Sequence, residues 1–337
     1  MSRRGEKRIF QRFLRAFAVF SVSVAAVCGL LLCVNPAEAW SSVKALLLDG
    51  FLSEAGRSKT LLIWPLLMLT GLSVGCAWKA GFLHLGAPGQ FTLGAFAAMS
   101  GGLLLNLPWW ACLLLAALGG ALGGAILSLI RHQSRISEIL SAVMLNYTVL
   151  CLTQWIWEDG LSAAAETASM TRSALPVFLL GNQAAVSLGL PIALVLCLGA
   201  WAVLRFTVIG FEVKAGGGNR EAAWRAGMPV DRNRKLLLVL SGVFSGLAGG
   251  VCLLSGMTST ALSVISVRMG YAGLAVTMLS LAHPMGIVAA ALVSAGLLSG
   301  GETLSGTIPQ EMGMMVLALT LLGSAVLLGK NKKKNKG

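Results

Sequence analysis

The sequence predicts an all-α integral membrane protein, a polytopic bundle of about ten transmembrane helices (roughly 8–10) with broken helices. Three observations lead there. The first is composition: of 337 residues, 56% are hydrophobic and only 12% charged, with a mean hydropathy of +0.80. Soluble domains carry about 25% charged residues. The second is continuity. The apolar segments run unbroken for about 20 residues, enough for a spanning helix, and lack the alternation of a β-barrel strand. The third is the placing of charge. The net charge of +13 is concentrated before the first apolar run, at Arg3, Arg4, Lys7, Arg8, Arg12 and Arg15, and after the last, at Lys330, Lys332, Lys333, Lys334 and Lys336. Basic clusters beside spans mark cytoplasmic ends, so both termini are expected inside a plasma membrane with an even number of crossings. This pattern argues against nucleic acid and for lipid as the partner of the excess charge.

The expected organisation is a basic N-terminus (1–15), one transmembrane domain (16–329) and a basic tail (330–337). The first span is 16–34. Ala37-Glu38-Ala39 resembles a signal-peptide cleavage site, but the apolar run exceeds the usual 7–15 residues, so a retained anchor is preferred. Residues 35–59 suit an outside loop lying partly on the membrane surface. The next spans are 60–78, 91–106, 109–130 and 138–157. An acidic outside loop, 158–186, carries Glu158, Asp159 and Glu166 against one base, Arg172. Spans at 187–204, 236–256 and 311–329 complete the set, with Arg268–Gly301 between the last two.

Two stretches interrupt this pattern. Gly81, Gly86, Pro88 and Gly89 break any helix through them, and Gly270 to Ser280 is too short to span before His283-Pro284. Irregular backbone at membrane depth survives only where protein or a watery cavity satisfies it, and such breaks often line solute sites. A plain cytoplasmic turn is the other reading of the first. Their comparable positions hint at an internal two-fold repeat. Asn146, polar in an apolar helix, either bonds a neighbouring helix or faces a solute. Glycines four apart (Gly119/Gly123, Gly120/Gly124, Gly242/Gly246/Gly250) are packing residues first.

The island Arg205–Lys235 is the longest interior cytoplasmic segment. Asn219 is a good N-cap, Glu221 complements the helix dipole, Gly227 is placed to end the helix and Pro229 cannot continue it. A helix of about two turns is marginal alone and needs a docking partner.

The missing chemistry is equally informative. No Asp or Glu occurs between Thr60 and Ile130 or between Leu236 and Gly301. Ion-driven carriers usually keep an acid in their spans, so the path and its solute are expected to be neutral. There is no Gly-x-x-x-x-Gly-Lys-Ser/Thr loop for ATP, no Gly-x-Ser-x-Gly elbow and no His-Glu-x-x-His pair. The seven cysteines lie in apolar runs without a Cys-x-x-Cys pair, and His84, His132 and His283 stand alone, so no metal site and no catalytic residue is expected.

Gly81–Ala98 resembles the signature of permease subunits of bacterial ABC importers for nucleosides and simple sugars, within the branched-chain amino acid/ribose permease family. Gly86, Ala87, Gly89, Gln90, Gly94 and Ala95 match it. Ser137–Tyr147 is similar to the family's Glu-x-Ile-x-x-x-Met-Leu-Asn-Tyr segment. Gly218-Asn-Arg-Glu-Ala-Ala223 with Gly227 is similar to its coupling helix, and Ser241–Gly249 to the span after it. Tyr271–Val276 with His283–Gly286 resembles its late broken helix. The family's Asn-Ile is His84-Leu85 here, and its Glu is Pro88.

The resemblance implies a permease subunit that carries a neutral nucleoside or simple sugar. It would work with a second permease subunit (the same chain or a different one), a cytoplasmic ATPase that alone uses ATP, and an extracytoplasmic binding protein. The expected solute path passes His84, Gly86, Pro88, Gly89, Gln90, Asn146, Tyr147, Tyr271 and His283. Gln90 and Asn146 offer both donors and acceptors to hydroxyls or base edges. The expected ATPase contact is Gly218, Asn219, Glu221, Ala222, Ala223, Trp224 and Gly227, with Trp224 as apolar anchor. The rival class is an ion-coupled secondary transporter of a small neutral solute, and a membrane enzyme is a third.

Overall fold

The computed structural model describes residues 3–34, 39–133, 137–161, 174–180, 184–256, 262–303 and 311–334. The first apolar run becomes α1 (Arg3–Val34), which extends back through the basic leader. Two short helices follow, α2 (Ala39–Lys44) and α3 (Gly50–Leu52), joined by a π-helical turn at Ala45–Asp49. Next come α4 (Glu54–Lys79), α5 (Ala87–Leu104), α6 (Trp109–Gln133) and α7 (Glu138–Ile156). A hairpin of β1 (Val177–Leu180) and β2 (Ala184–Ser187) leads to α8 (Gly189–Phe206), α9 (Val208–Gly218) and α10 (Arg220–Arg225). The chain ends with α11 (Val230–Leu254), α12 (Leu262–Leu279), α13 (Pro284–Thr303) and α14 (Met312–Lys334).

Among the described residues, six helices are long and apolar enough to cross a membrane: α4, α6, α7, α8, α11 and α13. Shorter apolar stretches lie in α1, α12 and α14, and α5 adds a further helix of 18 residues. The all-helical polytopic bundle is therefore what the apolar pattern builds. The cleavage-like Ala37-Glu38, together with Glu166 and Arg172 of the acidic loop, lies outside the described residues.

α4 is the axis of the bundle, with Ile63, Leu66, Leu67, Met68, Leu69 and Leu72 all fully buried. It packs against α5, α11, α12 and α13. Beside it, α5, α6 and α11 meet backbone to backbone. A Cβ on Gly120 would fall on the carbonyl oxygen of Gly242, and one on Gly94 would fall on Gly246. Lipid tails are as apolar as leucine, so such helices associate by van der Waals packing, which small residues bring to its closest. α1 and α14 pack together at one side through a separate cluster that includes Phe20, Val27, Leu31, Met312 and Val316.

Three local outcomes differ from the sequence expectations. Residues 39–52 form short helices that anchor part of this segment on α13. Leu46 is fully buried, Phe51 fills the space over Gly296, and the carbonyls of Ala45 and Leu46 lie against Gly300 of α13. The loop before α8 holds an antiparallel hairpin pairing Val177 with Ser187 and Leu180 with Ala184. The island contains two helices, because α9 runs through Gly216-Gly-Gly218. The middle glycine serves close approach: a Cβ on Gly217 would fall on the carbonyl oxygen of Lys79.

Candidate functional site

The first break is the organising feature of one end of the bundle. α4 stops at Lys79, Gly81 turns the chain with φ +82°, and residues 82–86 run without helix before α5 starts at Ala87. Pro88 sits in the first turn of α5, where a missing N–H costs nothing. Phe82 lies at the level of Arg131 and Arg234. The segment then plunges inward. Gly89 meets Asn146, eight residues beyond Glu138 on α7, which is about 12 Å along the helix. Gln90 lies against Gly123, eight residues before Arg131 on α6.

Backbone without helical partners cannot be left bare at such a depth. Side chains supply what is missing. The Gly89 N–H donates to Asn146 Oδ1 (3.0 Å), Asn146 Nδ2 donates to the Leu85 carbonyl (2.8 Å), and Ser245 Oγ donates to the Ala87 carbonyl (2.7 Å). Asn146 thus grips the break by both ends of its amide. Ser245, on α11, was not signalled by the sequence, since one serine in a glycine-rich span looks like packing.

His84 and Gln90 face each other across this break, Nε2 to Oε1 at 2.9 Å, and both are buried (0% and 1% exposed). As placed, Gln90 Oε1 accepts, so His84 carries its proton on Nε2; this follows from the assigned amide orientation. His84 Nδ1 and Gln90 Nε2 then have no partner among the described residues. Flipping the amide only exchanges which glutamine atom is left over. Buried polar atoms are otherwise almost always satisfied, so this pair is the strongest polar pointer at the break.

The structure brings His84, Gly86, Pro88, Gly89, Gln90 and Asn146 into one cluster. Gly270 of α12 packs directly on Pro88, which places Tyr271 at its edge. Tyr147 points away, 64% exposed on the outer face of α7. His283 is elsewhere, beyond the second break, where Leu281 and Ala282 take positive φ of 53° and 54°. It is exposed at the end of the bundle. Partial burial, then the positive charges of Lys79, Lys214 and Arg205, hold its imidazole below the ordinary range. The two breaks come together at this end, where Lys79 Nζ donates to the Leu281 carbonyl (3.4 Å). Phe82 and Phe91 are buried, so neither ring offers an open face for stacking.

The same end carries the island. α10 begins at Asn219, whose Oδ1 accepts from the Ala222 N–H (3.1 Å). It ends at Gly227, φ +78°, with the Met228 N–H donating to the Ala223 carbonyl and the Gly227 N–H to the Trp224 carbonyl. That pair of bonds is a Schellman closure, available to glycine because it lacks a Cβ. Ala223 packs inward, while Trp224 stands 68% exposed. Arg220, Glu221, Trp224, Val230 and Asp231 line an open groove. Gly218, Asn219 and Ala222 are also exposed.

The chain thus forms a polytopic helical bundle with a buried helix break and an exposed capped helix at one end. The family described as "Branched-chain amino acid transport system / permease component" matches residues 57–325, and the chain belongs to it. It is 29% identical to the guanosine ABC transporter permease protein NupP of Bacillus subtilis (strain 168), over 79% of this chain and 82% of that one. The nucleoside ABC transporter permease protein NupB of Lactococcus lactis subsp. cremoris (strain MG1363) is 29% identical over 82% of each. The glucose ABC transporter permease protein TsgB13 of Haloferax volcanii is 26% identical, over 92% of this chain and 84% of its own length. Among solved structures, PsaBC from Streptococcus pneumoniae in complex with Fab has a TM-score of 0.49 at 16% identity, over 83% of this chain and 93% of that one. The protein is thus a multi-pass ABC transporter permease subunit, a transport component.

Proposed function

We propose that this permease forms the translocation path for a neutral nucleoside and is driven through α10 by a separate ATPase subunit. The observation that carries the coupling half is α10 itself, a helix of six residues, capped at both ends and bearing an exposed tryptophan at the basic end of the bundle. So short a helix persists by its caps and by Ala223, and its outward face is free to enter a partner's groove. In this reading the basic end is cytoplasmic by the charge rule, with both termini inside and a binding protein acting on the far side. ATP is used by the partner subunit.

The substrate half rests on the nucleoside permeases among the relatives and on the acid-free spans. A simple sugar is the second reading, favoured by the glucose permease that aligns with most of the chain. The outer face of α7 supports a path shared with a second permease. Tyr147, Thr148, Cys151 and Gln154 all point outward at helical spacing. Polar groups at that depth are costly against lipid, so this face meets a second subunit across the path.

The test is reconstitution with the ATPase, partner permease and binding protein in liposomes, measuring uptake of labelled guanosine and glucose with and without ATP. ATP-dependent guanosine uptake is the expected result. Glucose uptake alone would replace the nucleoside reading by the sugar reading. Uptake that ignores ATP and collapses with an uncoupler would overturn the proposal.

A further inference from the structure

The island and the first break are joined by a cluster that the transport reading does not use. Glu138 opens α7, with its side chain only 12% exposed. Its Oε2 accepts from Arg234 Nη2 (3.2 Å) and forms an ion pair with Arg131, 3.3 Å from Nε. The Arg234 guanidinium also lies over the ring of Phe82, 4.9 Å from its centroid, with Arg131 at 6.0 Å. Four segments therefore meet at one point: the α6 end, the α7 start, the α11 start and the first residues of the break.

The α11 end of this cluster is tied to the island. Arg220 of α10 donates to Asp231 (2.7 Å), and Asn233 Nδ2 donates to Glu212 of α9 (2.7 Å). Arg234 follows directly. A displacement of α10 thus reaches Phe82, and from Phe82 the chain leads in four residues to Gly86 at the head of α5. The cluster is poorly suited to stability alone. Glu138 Oε1 and Arg234 Nε are buried without a partner among the described residues. A half-satisfied buried ion pair recovers little of its desolvation cost. Two spare hydrogen-bonding atoms on facing partners leave room for a second pairing.

We propose that Glu138, Arg234 and Phe82 are positioning residues that transmit motion of the ATPase-docked helix to the helix break, so that ATP hydrolysis and solute passage stay in step. The inference rests on the proposed docking of the ATPase at α10. Arginine suits the role because one guanidinium makes a hydrogen bond at its edge and stacks with its face, which lysine cannot do.

The experiment uses the reconstituted complex and three mild variants, Glu138→Gln, Arg234→Lys and Phe82→Leu, with Glu138→Gln/Arg234→Lys as the double. The probe is guanosine or glucose, whichever the wild type carries. Solute taken up per ATP hydrolysed is expected to fall at least fivefold in each single variant, while ATPase co-purification and basal hydrolysis stay at wild type. The double variant should lose no more than the worse single, as expected for two members of one link. An unchanged ratio in Phe82→Leu, which keeps apolar volume, or losses that multiply in the double, would overturn the link. A wild-type complex whose uptake ignores ATP would instead sink the functional reading beneath it.

Discussion

Asn146 shows how one amide is spent at a break in a membrane helix. Its Oδ1 and Nδ2 serve the Gly89 N–H and the Leu85 carbonyl, neither of which has a helical partner. Asn146→Ala therefore strands two buried backbone groups, each at about 1–3 kcal/mol. The variant should still insert, but unfold at lower temperature in detergent and lose most uptake. Gln90→Ala removes the contact to His84 and the packing on Gly123, and leaves a buried imidazole nitrogen bare, so it should reduce uptake and cost about 1–3 kcal/mol of stability, less than Asn146→Ala. Wild-type uptake in both variants would remove the break from the solute path. The two departures from the family signature also make sense at this scale. Pro88 occupies a first-turn position where its ring is tolerated, and His84 has gained Gln90 as a partner.

At the scale of elements, α10 was readable almost atom by atom. Asn219, Gly227 and Pro229 signalled its start and stop, and the cap bonds fall where they were expected. Capping is local chemistry, decided within a few residues. Trp224→Ala should therefore leave the fold intact and weaken ATPase docking by at least about 1–2 kcal/mol, read as reduced co-purification. Gly227→Val forces a β-branched residue to positive φ at about 1–2 kcal/mol, and should also reduce recovery of the ATPase. Full recovery and full uptake with both would move coupling to another loop. α9 was not expected, because the cap signals in the island marked only one short helix, after Gly216-Gly-Gly218. Gly217 has its reason in α4: the Lys79 carbonyl occupies the place of its Cβ. The β1–β2 hairpin had a signal in Gly181-Asn182 between apolar runs, within a segment read from its charge as an outside loop.

At the scale of the molecule, the glycine contacts among α5, α6 and α11 set how close the helices come. Gly120→Leu places a side chain into the backbone of α11, and the variant should be recovered poorly, or aggregated, on size exclusion in detergent. Gly199, on α8, has nothing within 4 Å of an added Cβ. Gly199→Ala should be neutral, or stabilising by about 0.5–1 kcal/mol, since alanine restricts the unfolded helix more. Equal recovery of Gly120→Leu and Gly199→Ala would show that the close contacts are not what holds the bundle. The two breaks come together at one end, joined by Lys79 and Leu281. Hydropathy, charge and capping residues by themselves determined a polytopic helical membrane protein and its short capped helix, because bilayer thickness and helix capping act on contiguous residues. Only the tertiary structure decided that Asn146 and Ser245 hold the break, that Tyr147 faces outward and His283 lies apart, and that Glu138 and Arg234 meet over Phe82. Those contacts join residues far apart in the chain, and no local period or motif records which of them will touch.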